Sequence, residues 1–133
     1  MTKRTGIPVT LTIDNSAGVA QNISNDVTSI NASTPRGLQD ITGLDRSAFE
    51  RLGLLADGKL SISGVFNPLL SHLVFRDVHT SAVTRTVVIV YPGPATLTME
   101  MLFSDYAITR AQSGELTWSA EGELANGVAP AWS

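Results

Sequence analysis

The C-terminal third of the chain alternates between apolar and polar residues with a period of two. In residues 96–110 (TLTMEMLFSDYAITR), the apolar side chains from Leu97 to Phe103 fall at odd positions, with Leu102 as the exception. Residues 115–124 (ELTWSAEGEL) repeat the pattern around Trp118. A period of two over this length is typical of strands that bury one face. The connection 111–114 is short and ends in glycine, so the two segments are predicted to form a β-hairpin.

Two details of this hairpin carry further predictions. After Phe103 the apolar positions move from odd to even, at Tyr106 and Ile108, and a shift of one residue predicts a β-bulge near Ser104-Asp105. The polar face contains hydroxyls and carboxylates and almost no positive charge. Its members are Thr98, Glu100, Thr117, Ser119, Glu121 and Glu123.

The N-terminal half predicts less regular structure. Alternation over residues 6–14 predicts a half-buried strand, and residues 23–32 have a weaker strand pattern. The sequence Thr34-Pro35-Arg36-Gly37 suits a β-turn, after which residues 38–42 could run back antiparallel. This polar hairpin, 23–42, would add little to a core. It is either a floppy excursion or an arm that a neighbouring subunit orders.

Two short helices and two further strands are predicted in the middle of the chain. Ser47 and Glu50 have the spacing of a capping box, with Asp45 as a rival N-cap, and Phe49 and Leu52 would share one helical face. Asn67-Pro68 predicts a second helix from Leu69 to about Phe75. Residues 59–66 alternate as a strand, and residues 86–91 are apolar on both faces, as in a central strand. The predicted fold is a single, mainly β domain (1–133) of six or seven strands in two packed layers, with one or two short helices.

Composition and charge narrow the function classes. Only 16% of residues are charged, and the net charge is −3. From Pro94 to the end there are five acids and one base, which gives −4, whereas residues 1–93 have seven acids and eight bases, which gives +1. An acidic half argues against a protein that grips nucleic acid, because phosphate binding needs Lys and Arg. It is compatible with a surface along which nucleic acid passes without being bound.

The sequence contains no cysteine, which excludes disulfides, thiolate zinc sites and cysteine nucleophiles. The N-terminal residues have no apolar region typical of a signal peptide, and no segment approaches the length of a membrane span. We therefore expect a protein that is made and kept in the cytosol, or that leaves it by lysis or as part of a particle, with no membrane partner.

Residues with catalytic or metal-binding chemistry are few. His72 and His79 have no accompanying cysteine, so surface or interface histidines are favoured over a metal site. Glu121 and Glu123 point the same way on one strand, as glycosidase carboxylates could. A glycosidase cleft also needs aromatic walls, however, and the chain has only eight aromatic residues. The sequence predicts no enzyme, no metal and no cofactor.

Several segments, taken in order, resemble the tail tube proteins of long-tailed (siphovirus-type) bacteriophages of actinobacterial type. These segments are 26–30 (DVTSI), 43–52 (GLDRSAFERL), 60–67 (LSISGVFN), 105–110 (DYAITR), 114–119 (GELTWS) and 125–132 (ANGVAPAW). The resemblance covers nearly the whole chain, and no single motif in it is diagnostic. It implies a β-sandwich with a flanking helix, assembled as hexameric rings whose sheets join between subunits into a closed barrel. The rings would stack into a hollow tube through which the genome leaves the virion.

The resemblance also suggests roles for particular residues. The polar hairpin face would line the lumen, where a wall should repel phosphate weakly; the opposite assignment turns this face outward to solvent. Residues 34–37, at the tip of the 23–42 hairpin, would contact the next ring, or would form a mobile surface loop. Lys3, Arg4 and Trp132 are candidates for subunit contacts, although Trp132 could equally anchor against its own domain.

The implied partners are other copies of this chain, the tape measure protein, and the tail tip and terminator proteins. Genomic double-stranded DNA would pass through without specific binding. Two other function classes are open. One is a different ring-forming component, such as a tail terminator, a baseplate hub or a secretion-type tube. The other is a monomeric module for capsid decoration or adhesion, which would expose an aromatic patch.

Overall fold

In a computed structural model, residues 8–93 and 95–133 form a mainly β structure with one short α-helix. The described residues contain ten strands, the helix α1 (Ser71–Phe75) and a 3-10 helix (Ser24–Asp26). The strands are β1 (Thr10–Asp14), β2 (Ala20–Asn22), β3 (Val27–Ser33), β4 (Arg36–Asp40), β5 (Arg51–Ala56), β6 (Lys59–Val65), β7 (Arg85–Tyr91), β8 (Ala95–Arg110), β9 (Leu116–Leu124) and β10 (Ala131–Trp132).

Eight strands form one antiparallel sheet that folds over on itself. Its order is β2-β1-β7-β8-β9-β6-β3, and β10 pairs with β8 outside this path. The long strand β8 belongs to both halves, because Ala95–Met101 pair with β7 and Met101–Arg110 pair with β9. The register shifts between Phe103 and Asp105, so the predicted bulge is confirmed. The two halves form the two layers predicted from the sequence, joined through this one strand.

A single apolar core lies between the layers. The alternating residues of β1, β6, β7, β8 and β9 bury their side chains in it, which confirms the pattern read from the sequence. Helix α1 adds Val74 and Phe75, and the Phe75 ring lies 5.2 Å from that of Phe103 and 5.3 Å from that of Trp118. Trp118 is buried, and its indole N–H donates to the Val65 carbonyl at 3.0 Å. The core thus satisfies the one polar atom of its largest side chain.

The predicted second helix is confirmed, although it begins at Ser71 and not at Leu69. The Asn67 side-chain oxygen accepts the Leu69 N–H at 3.0 Å, which holds residues 67–69 in a turn before the helix. The buried carboxylate of Asp26 then accepts the Ser71 N–H at 3.2 Å and the Asn67 side-chain amide at 3.1 Å. A buried carboxylate from another element therefore accepts the first N–H group of this helix.

A buried arginine holds the other end of α1. Arg85, the first residue of β7, is 1% exposed, and its guanidinium donates to the Val74 carbonyl in the last turn of the helix. The same guanidinium forms an ion pair with Asp77 at 3.0 Å. Hydrogen bonds from the Ser16 side chain and then from Arg85 lower the pKa of Asp77 against the opposing effect of burial. The helix is thus anchored to the sheet by polar contacts at both ends.

The segment that leads from the 3-10 helix into β3 crosses β6 next to Gly64, and we call it the crossing segment. A Cβ atom at this position would lie 1.8 Å from the Asp26 carbonyl oxygen, well inside van der Waals contact. Glycine is therefore required for the two backbones to come this close.

The predicted polar hairpin 23–42 does not form. Strand β3 pairs with β6, and β4 pairs with β5 in a separate two-stranded sheet. Two partly buried residues of β3, Ile30 and Ala32, pack against the core, so β3 is an integral strand of the main sheet. The projecting element is instead the β4–β5 hairpin, residues 36–56, which we call the arm.

The helix predicted from the Ser47–Glu50 capping box is also wrong, because these residues form the end of the arm and lead into β5. The Glu50 N–H donates to the Thr42 hydroxyl at 2.8 Å, and the Ile41 N–H donates to the Glu50 carbonyl at 3.0 Å. The backbone N–H of Glu50, which a capping box would bind, and its carbonyl, which a helix would use, thus both form hydrogen bonds within the arm.

Candidate assembly surfaces

The polar face predicted from the sequence is present on the outer side of the sheet. Thr117, Ser119, Glu121 and Glu123 of β9 are all exposed. Glu121 lies between Ser61 of β6 and Asp105 of β8, and Glu123 lies between Lys59 and Leu102. The Asp105–Glu121 pair places like charges directly opposite each other, so the centre of this face repels anions.

Thr98 and Glu100 belong to the same face of β8 but do not lie opposite β9. They pair with Val88 and Thr86 of β7, on the other side of the bulge. Glu100 is partly buried and accepts a hydrogen bond from the Thr86 hydroxyl at 2.7 Å. The six predicted residues therefore form two groups joined along β8, and Glu100 is less free than the other acids to face a passing polyanion.

The arm exposes apolar side chains on both of its faces. Leu38 lies opposite Gly53 on one face and is 62% exposed, whereas Leu52 and Leu54 lie on the other face and are 50% and 46% exposed. Near the tip, Leu44 and Phe49 are also exposed. A two-stranded sheet with this much uncovered apolar surface is marginal alone and is typical of an interaction element.

Hydrogen bonds and the ion pairs of Arg46 with Asp45 and Glu50 shape the tip of the arm. The Thr42 hydroxyl donates to the Asp40 carboxylate at 2.6 Å, and this bond lowers the pKa of Asp40. Arg46 forms an ion pair with Glu50 at 2.5 Å, and the Arg51 guanidinium lies 5.1 Å from the centre of the Phe49 ring. Contacts within the arm therefore define the shape of its tip.

Residues 34–37, expected at the tip of a hairpin, lie instead at the root of the arm. Thr34 and Pro35 connect β3 of the main sheet to β4, and Arg36 and Gly37 begin β4. The Pro35 carbonyl accepts the Asp57 N–H at 2.8 Å. All four are exposed. This corrects their predicted position, because β3 and β4 are not partners of each other.

The candidates for subunit contacts fall at the two ends of the chain. Lys3 and Arg4 lie outside the described residues. Trp132 is 54% exposed, and its ring lies 5.8 Å from that of Tyr91 on the same chain. Part of the indole is thus anchored against its own fold, and the rest is open to solvent.

The histidines do not form a site. His72 Nδ1 lies 3.1 Å from the Tyr106 hydroxyl, and its ring packs 5.2 Å from that of Phe66. Burial raises the pKa of Tyr106. Within residues 8–93 and 95–133, no three His, Asp or Glu side chains converge as metal ligands, and no helix is long and apolar enough to cross a membrane.

The fold has close counterparts among solved structures. It matches a chain in the tail of an empty gene transfer agent (GTA) particle with C6 symmetry, with a TM-score of 0.84 and 15% identity. The match covers 98% of this chain and 99% of that chain. A chain in the virion of the native GTA particle matches over the same shares, with a TM-score of 0.82 and 15% identity. The chain has the tail tube fold. The expectation from the sequence resemblance is confirmed at the level of fold.

A third match is a chain in the six-fold symmetrised baseplate of the anti-feeding prophage (AFP). It has a TM-score of 0.68 and 15% identity, over 100% of this chain and 97% of the other. No protein-family model matches the sequence, and no curated protein matches it. The likeness is therefore one of structure at low sequence identity.

Sequence reasoning missed the arm itself. Residues 49–55 (FERLGLL) are rich in apolar side chains, but this composition does not distinguish a helix from a strand. The capping pattern drew these residues into a helix. The two-residue strand β10 was also missed, because its pairing depends on β8 and not on any local pattern.

Proposed function

We propose that this chain is the structural subunit of a hollow phage-type tail tube, located in the virion. Six copies would form a ring, and stacked rings would form the conduit for the genome. The observation that carries this proposal is the match to the tail of the C6-symmetric GTA particle over nearly the whole of both chains. We expect a structural role without catalysis, with the tail tip, terminator and tape measure proteins as further partners.

The open architecture of the chain supports a role in assembly. The sheet path ends at β2 on one side and at β3 on the other, so the described strands do not close into a barrel. Strands β1 and β3, near the two ends of this path, approach each other around a groove lined by Val9, Leu11, Val27, Ile30 and Tyr91. Joining edges between six subunits would close one continuous barrel and remove the exposed edges.

The polar face supports the assignment of the lumen wall. A conduit for DNA should offer hydroxyls and carboxylates and few bases, because each Lys or Arg that meets a phosphate adds binding free energy. The exposed β9 residues, with Asp105 beside them, meet this requirement, and Lys59 is the one base that pairs directly with them. We therefore propose that Thr117, Ser119, Glu121 and Glu123 line the lumen. Thr98 and Glu100 would form a second group of lumen residues.

We propose that the arm, and not residues 34–37 as expected from the sequence, makes the contact between rings. Those residues lie at its root, where they would set its direction rather than meet the partner. The apolar side chains of β5 and the tip would supply the contact area.

Electron microscopy of the purified protein at high concentration, with light scattering for mass, tests the proposal. Long tubes of stacked rings are the expected result. Rings that never stack, even after tail tips are added, would favour a second candidate, a ring-forming baseplate component, which the match to the AFP baseplate chain supports. A stable monomer that tail tips cannot recruit would contradict both and favour a decoration or adhesion module.

A further inference from the structure

The C-terminal segment covers a backbone edge that would otherwise be free. Strand β9 ends at Leu124, so the edge of β8 from Thr96 to Glu100 has no partner from the hairpin. The chain then returns to this edge. Ser133 and Thr96 exchange two backbone hydrogen bonds of 2.9 and 3.0 Å, Ala131 pairs with Thr98, and the Ala125 N–H donates to the Glu100 carbonyl at 3.1 Å.

The covered edge has the properties of a strand that pairs readily. Residues 96–101 (TLTMEM) alternate between polar and apolar positions and contain no glycine or proline. A flat, regular edge of this kind is a template for a strand from another molecule. The covering strand is a poor template in comparison, because β10 has two residues and follows Pro130.

The cover is lightly held. Residues 125–129 are exposed, and Ala131 and Trp132 are exposed within the strand. The aromatic contact of Trp132 is with Tyr91, and Pro130 approaches the backbone at Gly58. No residue of this segment belongs to the buried core. Releasing it would therefore cost few contacts and leave both layers of the sheet intact.

We propose that residues 126–133 are a built-in edge cap, which prevents two copies of this chain from pairing through β8. The association that the cap would prevent is with a second copy of this chain that presents the same β8 edge. Two such edges are self-complementary in antiparallel register about a two-fold axis at Thr98, with apolar side chains of both strands on one face. Such a two-fold pair has no place in a six-fold ring, so the cap would protect free subunits from a wrong association. The capping of the β8 edge rests on the fold alone, whereas the harm of a two-fold pair rests on the proposed function.

Because the chain has no cysteine, an engineered one reports this pairing directly. Thr98→Cys would be made in the full chain and in a chain ending at Ala125, and both would be incubated at low concentration in a glutathione redox buffer. Hydrogen-bonded antiparallel partners have Cα atoms about 5.5 Å apart, within disulfide range. The expected result is disulfide-linked dimer as the main species of the shortened chain and as a minor species of the full chain.

A matched control and a second variant keep the test decisive. Thr117→Cys in the shortened chain lies on β9, which is paired on both sides, and should give no excess dimer. Ala131→Pro in the full-length Thr98→Cys chain removes the cap's N–H donor without truncation and should restore dimer formation. Amide exchange at Thr96 verifies that the edge has opened. An open edge with no more dimer than the full chain would overturn the proposal, whether or not tubes form.

Discussion

At the scale of single residues, the anchoring of α1 by Arg85 makes stability depend on pH. The pKa of Asp77 is lowered in the folded chain, by the Ser16 side chain first and Arg85 after it. A carboxyl whose pKa is lower in the folded state stabilises the fold above its unfolded pKa, about 3.9. That contribution is lost as the pH falls from about 4 through the folded pKa.

We expect Asp77→Asn to lower the free energy of unfolding at pH 7 and to have a shrinking effect below pH of about 4. Urea unfolding of both proteins between these pH values measures the difference. Asp57→Asn, in the turn between β5 and β6, is the comparison variant. A difference that stays constant down to the lowest pH would show that the carboxylate charge has no part in holding the helix.

The backbone approach at Gly64 gives a second residue-scale prediction. Gly64→Ala places a methyl group against the Asp26 carbonyl oxygen, and the crossing segment would have to move away from β6. We expect a loss of about 3 kcal/mol in the free energy of unfolding, the upper range for overpacking. Thermal or urea unfolding measures it, with Ser63→Ala as the neighbouring control. A loss within the ordinary range of surface substitutions would mean that the crossing is not fixed.

At the scale of elements, the arm should affect assembly without affecting the fold. Leu52→Ser with Leu54→Ser removes apolar surface from one face of the arm, where neither side chain reaches the core. We expect the free energy of unfolding to change by no more than about 0.5 kcal/mol, as for other surface sites, and tube formation to fail.

Electron microscopy and sedimentation would measure that failure. Gln39→Ala, opposite Leu52 on the same face, is the matched control and should still give tubes. Normal tubes from the double variant would remove the arm from the contact between rings.

The elements that the sequence predicted well are those whose pattern is local and long. Strands β6, β8 and β9 each bury every second residue over seven or more positions, so period and register follow from the residues alone. The bulge was predictable for the same reason, because Tyr106 and Ile108 continue the pattern one position late. The helix after Asn67 followed from turn chemistry, although its first residue depended on Asp26, 45 positions away.

The arm could not be predicted, because its strands are distinguished by partner choice and not by pattern. Residues 27–33 and 36–40 both read as polar strands, and only the non-local ladder to β6 places β3 in the main sheet. The capping box failed because the Thr42 hydroxyl competed successfully for the Glu50 N–H. In the candidate site, the polar face of β9 was predictable from alternation. The separate pairing of Thr98 and Glu100 with β7 was not.

At the scale of the whole molecule, the sign of charge on the polar face should matter for DNA passage. Glu121→Lys with Glu123→Lys changes the charge by +4 per subunit, and so by +24 in each proposed ring of six. We expect tubes to form normally, because both side chains are exposed. Genome ejection should slow, and it should recover in part as salt is raised, since phosphate binding weakens with salt.

Ejection from phage carrying the variant, measured by release of DNA over time, tests this. Glu121→Gln with Glu123→Gln removes the negative charge without adding a base, and it separates loss of repulsion from gain of binding. Unchanged ejection in the lysine variant would place this face on the outside of the tube.

The pairing of β1 with β7 also determines how long β1 waits for its partner during synthesis. The partners of Thr10–Ile13 are Val87–Val90, so the first strand waits for residues made much later. At ribosomal rates of 5–20 residues per second, that delay is about 4–15 s. During this time β1 can pair with β2, but Leu11 and Ile13, buried in the finished subunit, lack the rest of the core. We expect the nascent chain to be prone to aggregation during this delay, and slowing translation before β7 should increase aggregation more than slowing it after β9.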